Sequence, residues 1–334
     1  MPTLTIDNQA ISVPEGTTLL EAAATLGIVL PTLCHQEDGC GKGGSCMVCV
    51  VRNEMTGALV PACVAEAAEG QRITATSPEL AEIRRATLEM LLAEHLGECQ
   101  GLCAQVCPAG LDIPQILRLT AAKQPEAAAT LIGPYPCEAC PQRCEKACRR
   151  GRHDQEVAIK GIVRSLAGPT TAHRPAPPKP GYQHRFRPAT AEDLAIFLKE
   201  ADPAPRQTEN DFPAAIAKEA RRCLHCDCRA QHHCRLRDLA TELLARQNRF
   251  QIATPRSFAR IPAGRLVIEP GKCVKCGQCV ALAENRGHKA GPIFAGRGFE
   301  MTISAPPGHT WDEAVAGLEE ELAAICPTGA MKLR

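Results

Sequence analysis

The chain has 334 residues, a formal net charge of +1 and no apolar run near the length of a membrane span. That excludes a helical membrane protein and argues against general nucleic-acid binding; neither a nucleic-acid partner nor direct membrane insertion is expected. Its 20 cysteines inflate an apolar content of 45%, whereas aromatic residues make up only 3%, too few for a large aromatic core. The start, Met1 to Ile11, alternates like a strand and not like an export signal, so a reducing, cytoplasmic location is expected. In that compartment clustered thiols read as metal ligands, not disulfides.

Residues 1–76 read as strand, Asp7-Asn8 turn, strand and a helix with an apolar face of Leu19, Leu20, Ala23 and Leu26. Cys34, Cys46, Cys49 and Cys63 follow, around a loop rich in glycine (Gly39, Gly41, Gly43, Gly44). Such a loop lets backbone N–H groups approach sulfur closely. It fails as a phosphate loop because it lacks the Gly-Lys-Ser/Thr ending, and no GxGxxG follows a strand elsewhere. The chain shows no nucleotide site of its own. This segment resembles the β-grasp [2Fe–2S] domain that opens the large iron–sulfur subunit of respiratory complex I and its hydrogenase and formate dehydrogenase relatives. The resemblance implies Cys34, Cys46, Cys49 and Cys63 as ligands and leaves Cys40 a free thiol in the loop.

Residues 77–167 open with Ser77-Pro78-Glu79, an N-cap with proline at the first helical position. Leu80, Ile83, Thr87, Leu88, Leu91 and His95 fall near one face of a helix expected to stop at Gly97. His95 lies one helical turn before Cys99, Cys103 and Cys107, which reads either as a packed core histidine or as a nitrogen ligand. From Cys99 to Leu166 the pattern resembles the cluster-bearing N-terminal domain of the glutamate synthase small subunit and of dihydropyrimidine dehydrogenase. The matching stretches are Cys103-Ala-Gln-Val-Cys107-Pro, Cys140-Pro-Gln-Arg-Cys144-Glu-Lys-Ala-Cys148 and Val157-Ala-Ile-Lys-Gly. A helical domain around two [4Fe–4S] clusters is implied. The resemblance assigns Cys99, Cys103 and Cys148 to one cluster, with His95 where the family has cysteine. Cys107, Cys140 and Cys144 go to the other, and Cys137 replaces a family ligand that would fall near Arg164. The flavin-binding half that follows this domain in those families is missing.

Residues 168–205 form a proline-rich, basic linker, read as a solvated strap or as a segment docking on another subunit. In 206–250, a helix expected over about 212–224 delivers Cys223, Cys226 and Cys228, with Cys234 before a second helix spanning 235–246. Four thiolates there suit one cluster or one zinc. In 251–334, Cys273-Val-Lys-Cys276-Gly-Gln-Cys279 and a remote Cys326-Pro suit the corner ligands of a cubane. Ala283 stands where a two-cluster ferredoxin has its next cysteine, so this unit resembles a bacterial ferredoxin with one cluster deleted. Thr310 and Glu313 make a capping box, expected to open the helix that carries Cys326.

The expected fold is therefore α+β and multidomain: a β-grasp [2Fe–2S] domain, a helical double-cluster domain and small ferredoxin-like cluster domains. One [2Fe–2S] and four [4Fe–4S] clusters would consume every cysteine but Cys40. The expected function is a non-catalytic electron-transfer subunit of a cytoplasmic oxidoreductase. Its partners would be an NAD(P)-reactive flavoprotein and a catalytic metallo-subunit of hydrogenase or formate dehydrogenase type. An electron-delivering subunit of a glutamate synthase-like or electron-bifurcating reductase is the alternative, and a multi-zinc interaction module is the alternative of another class.

Overall fold

The computed structural model describes residues 1–35, 43–96, 98–168, 190–207, 214–230, 233–250 and 258–334. Cys40 and the proline-rich stretch from Pro169 to Pro188 lie outside the described residues. Those described fall into two compact units. One draws on Met1–Gly97 and His233–Arg334, the other on Glu98–Lys179 and Phe186–His232.

The first unit begins with β1 (Thr3–Ile6) and β2 (Gln9–Ser12), joined by Asp7 and Asn8 at φ 47° and 64°. Two left-handed residues give the tight turn whose twist matches antiparallel strands. Helix α1 (Leu19–Thr25) starts on a complete capping box between Thr18 and Glu21. Strands β3 (Val50–Asn53), β4 (Leu59–Pro61) and β5 (Arg72–Thr74) complete a sheet of order β2-β1-β5-β3-β4, with β1 and β5 parallel. Its inner face and α1 bury Leu4, Ile6, Leu19, Ala22, Val51 and Ile73, and Cys49 and Cys63 lie in the same core.

Ser77 caps α2 (Pro78–Glu94) by accepting from the Leu80 backbone N–H at 3.1 Å. The helix ends one turn before the expected Gly97, with His95 as its C-cap residue. Its inward stripe is Leu80, Arg84, Leu88 and Leu92, rotated from the expected face that held Ile83, Thr87 and Leu91. Arg84 accounts for the rotation. Its guanidinium donates to the carbonyls of Val50 and Ala75, at 2.6 and 2.8 Å, and so belongs inside.

The second unit is helical: α3 (Leu102–Gln105), α4 (Ile113–Ala121), α5 (Pro125–Ile132), α6 (Arg143–Lys146), α7 (Ile159–Leu166), α8 (Ala191–Leu198) and α9 (Ile216–Arg221). Part of the expected linker is thus α8, opened by a Thr190–Asp193 capping box and anchored by buried Phe197. Ile113, Ile116, Leu117, Ile132, Ile159, Ile162 and Val163 form the core, and Cys103, Cys107, Cys137, Cys148 and Cys223 pack against it. Buried charges tie the loops together. Arg222 donates to Glu219 (2.9 Å), Asp154 (3.2 Å) and the carbonyls of Ala204 and Gln155, and Arg150 pairs with Asp154 at 2.6 Å. Because Arg150 and Arg222 stand within two residues of Cys148 and Cys223, the network fixes both thiols relative to each other.

The first unit resumes with α10 (Arg235–Glu242), β6 (Ile261–Ala263), β7 (Leu266–Ile268), α11 (Gln278–Asn285), β8 (Ile293–Ala295), β9 (Thr302–Ser304), α12 (Trp311–Val315), α13 (Glu319–Ile325) and β10 (Met331–Leu333). A small antiparallel sheet runs β10-β7-β6. The Thr310–Glu313 capping box is present but opens α12, a separate helix. Gly317, at φ 74°, breaks the chain, and α13 delivers Cys326 as its C-cap residue. Ala283 is buried in the local core, and a Cβ at Gly291 would sit 2.3 Å from the Ala283 Cβ. The place of the missing ferredoxin cysteine is filled by close packing.

No described helix is long and apolar enough to cross a membrane.

Candidate metal centres

Four sets of cysteine thiols converge in the structure, each built by its own loop geometry. In the first unit, Cys34, Cys46, Cys49 and Cys63 are all buried. The Cys34 thiol is held low by hydrogen bonds from Cys46 and Cys63, whereas Cys63 is driven up by serving Cys34 and Cys49. Met47 takes φ 57°, which brings the Val48 backbone N–H to 3.5 Å from the Cys46 sulfur. Gly43 (φ 67°) closes the cradle: a Cβ there would lie 3.1 Å from the Cys63 sulfur and 3.4 Å from that of Cys34. Glycine here keeps the space beside these sulfurs free of a side chain. Gly43→Ala is therefore expected to labilise the cluster, adding about 1–2 kcal/mol of left-handed strain to the clash. Iron content and visible circular dichroism of the variant would show the loss; an intact [2Fe–2S] spectrum would contradict it.

The second set is Cys273, Cys276, Cys279 and Cys326, mutual electrostatic neighbours. Burial, followed by the other thiols, pushes Cys279 up to about 12 and Cys276 well above its ordinary value. Lys275 adopts φ 57° and donates its backbone N–H to the Cys273 sulfur at 3.3 Å. Thr328 stands 3.7 Å from the Cys326 sulfur.

The third set lies in the second unit. Cys107, Cys137, Cys140 and Cys144 line one cavity with Leu111, Ile113, Ile159 and Val163. Burial pushes the Cys144 thiol to about 12, and Lys160 Nζ donates to the Cys140 carbonyl at 3.2 Å.

The fourth set crosses the grouping expected from sequence spacing. Cys103 has Cys226, Cys223 and Cys148 as its electrostatic neighbours, and Cys226 and Cys223 both feel Cys148. Thus the pair Cys223–Cys226 joins Cys103 and Cys148. His225 makes the loop with φ 43°, its backbone N–H 3.4 Å from the Cys223 sulfur. Gly101 leaves room here, since a Cβ would fall 3.4 Å from the Cys103 sulfur. Asp227, buried among these thiols, is bound by Arg118 at 2.5 Å. Arg149 hydrogen-bonds both the Cys226 thiol and Glu98, the latter at 2.5 Å.

His95, Cys99, Cys228 and Cys234, all buried, stand outside these four sets. Gln247 donates to the His95 carbonyl at 2.8 Å, and the Cys234 sulfur lies 3.8 Å from the Pro327 carbonyl. Arg149, Asp227 and Gln278 carry no signal in sequence beyond their nearness to cysteines. Only folding brings Arg149 to Cys226, Asp227 to Cys103 and Gln278 to the Cys34 carbonyl.

Among the described residues no three His, Cys, Asp or Glu side chains are arranged to hold a single metal ion. Each donor set offers four thiols, three of the sets with a backbone N–H···S bond and one with an apolar lining, a chemistry that suits iron–sulfur cores. Three CxxC loops share one device, a left-handed non-glycine residue that aims a backbone N–H at the first sulfur. Such strain persists where the surroundings impose it, as at ligand clamps.

Residues 1–78 match the 2Fe-2S iron-sulfur cluster binding domain family. Over 109 residues the chain is 39% identical to the NADP-reducing hydrogenase subunit HndD of Solidesulfovibrio fructosivorans, covering 31% of this chain and 18% of the relative. It is 38% identical over 110 residues to the NADPH-Fe(3+) oxidoreductase subunit alpha of Geobacter sulfurreducens, covering 33% and 12%. The NAD-reducing hydrogenase HoxS subunit gamma of Cupriavidus necator is 35% identical over 96 residues, covering 29% and 40%. The chain thus spans less than half of each of these relatives. In fold it is similar to a chain of an NAD+-reducing [NiFe]-hydrogenase in the H2-reduced state, with a TM-score of 0.52, 19% identity, and coverage of 100% of this chain and 87% of that one.

Proposed function

We propose that this chain is an iron–sulfur electron-transfer subunit of a multi-subunit oxidoreductase, relaying single electrons between redox sites on partner subunits. The partners that fit are an NAD(P)-reactive flavoprotein and a metallo-subunit of hydrogenase or formate dehydrogenase type. The observation that carries this reading is the convergence of 16 cysteines into four sets of four. Similarity to subunits of NAD(P)-reducing hydrogenases supports it. Clusters bound there would supply reversible one-electron redox chemistry. The protein's part is to hold them: thiols supply the ligands, backbone N–H groups soften the sulfur charge, and apolar walls limit water. Burial that lifts Cys144, Cys226 and Cys279 to about 12 leaves these groups neutral without metal, so binding metal must release their protons.

Anaerobically purified chain should carry at least about 14 iron atoms, for one [2Fe–2S] and three [4Fe–4S] clusters in the four converged sets. It should be brown, and chelation should unfold both units, because small cores built around metal lose their organising centre with it. Colourless, zinc-rich protein with under half that iron would sink the proposal and favour an interaction module.

A further inference from the structure

We propose that the N-terminal and C-terminal ligand sets of the first unit form one direct electron-transfer junction, bridged by Gln278 and Ser45. This rests on the reading of both sets as iron–sulfur sites. Their residues are more than 200 positions apart in sequence, yet two hydrogen bonds join them. Gln278, only 2% exposed and the immediate neighbour of Cys279, donates its side-chain amide to the carbonyl of Cys34. Ser45, the neighbour of Cys46, donates its hydroxyl to the carbonyl of Cys276 at 3.2 Å. Each bridge starts at or beside a ligand of one set and ends at or beside a ligand of the other. Each contains a single hydrogen bond and is otherwise covalent.

A third contact braces the same place. Arg235 donates to the Thr32 carbonyl at 2.6 Å and also bonds the Thr32 hydroxyl, while the Leu236 backbone N–H reaches the Pro327 carbonyl at 3.3 Å. The start of α10 therefore holds the loop before Cys34 and the loop after Cys326. Electronic coupling falls steeply with path length and is carried better by bonded links than across gaps. Gln278 and Ser45 shorten the path at two points, and the Arg235 clamp keeps both bridges in register. One electron crosses per event: one cluster is oxidised, the other is reduced, and no proton need move. The N-terminal set then has a partner that bypasses the second unit.

The test uses the full holo-chain and, beside it, the double variant Gln278→Leu with Ser45→Ala, neither position being a ligand. Iron content and the resonance signals of both clusters are measured first; their absence from wild type would sink the cluster reading itself. With both present, reduction of the C-terminal cluster should speed spin relaxation of the reduced [2Fe–2S] centre. Relaxation that does not respond would overturn the junction. After a reducing light pulse, electron equilibration between the two should slow about tenfold in the double variant, equivalent to about 1.4 kcal/mol on the barrier. Unchanged equilibration with both clusters retained would also overturn it. Should the double variant lose a cluster, the wild-type relaxation measurement alone decides.

Discussion

Cys103→Ala and Cys223→Ala should each lose about four iron atoms, and the double variant should lose no more than either single one, because all three remove the same [4Fe–4S] cluster. Nothing in the spacing of these cysteines suggests it. They are 120 positions apart and occupy different sequence motifs, but Cys103 has Cys226 and Cys223 as its leading charged neighbours in the folded unit. If Cys223 instead shared its cluster with Cys226, Cys228 and Cys234, the double variant would lose about eight iron atoms. Iron per chain separates the outcomes, and electron paramagnetic resonance shows how many signals disappear.

Arg149→Leu should both destabilise the second unit and lower the potential of that cluster. Arg149 and Glu98 form a buried pair, with side chains 3% and 6% exposed. Burial works against the Arg149 charge, yet its hydrogen bond to Glu98 and its neighbour Cys226 hold the pKa above the ordinary value. Breaking such a pair strands a buried carboxylate and costs about 3–5 kcal/mol. The same guanidinium donates to the Cys226 thiol, so losing it makes the cluster's surroundings more negative and an added electron less welcome. Adding Glu98→Gln should restore most of the stability while leaving the potential below wild type. Thermal unfolding reads the first effect and a redox titration reads the second. A cluster retained at its wild-type potential in Arg149→Leu would refute the tuning role.

Much of the architecture is legible in local pattern. The Asp7-Asn8 turn, the Ser77 cap and the Thr310–Glu313 capping box lie where the sequence places them, because each is decided by a few adjacent residues. Failures arise where distant groups compete, or where a single residue breaks a periodic run. Apolar periodicity misjudges the buried face of α2, since Arg84 finds two carbonyls to satisfy inside. It also misses the break before α13, because Gly317 has room to turn the chain.

Taken alone, the sequence determines the chemistry: 20 cysteines in short-range runs, few aromatics and a CxxCxxC with a remote Cys-Pro point to iron–sulfur ligation. Those features are local, and so is the geometry of each CxxC loop. Which loops bring their thiols together is decided only by tertiary packing. A thiol can serve any cavity the chain reaches, and the choice between Cys228 and Cys103 as partners of Cys223 depends on where the core and the Arg150–Asp154–Arg222 network set the loops. The junction through Gln278 and Ser45 is decided the same way. Its two hydrogen bonds span more than 200 residues, and short-range periodicity carries no information over that separation.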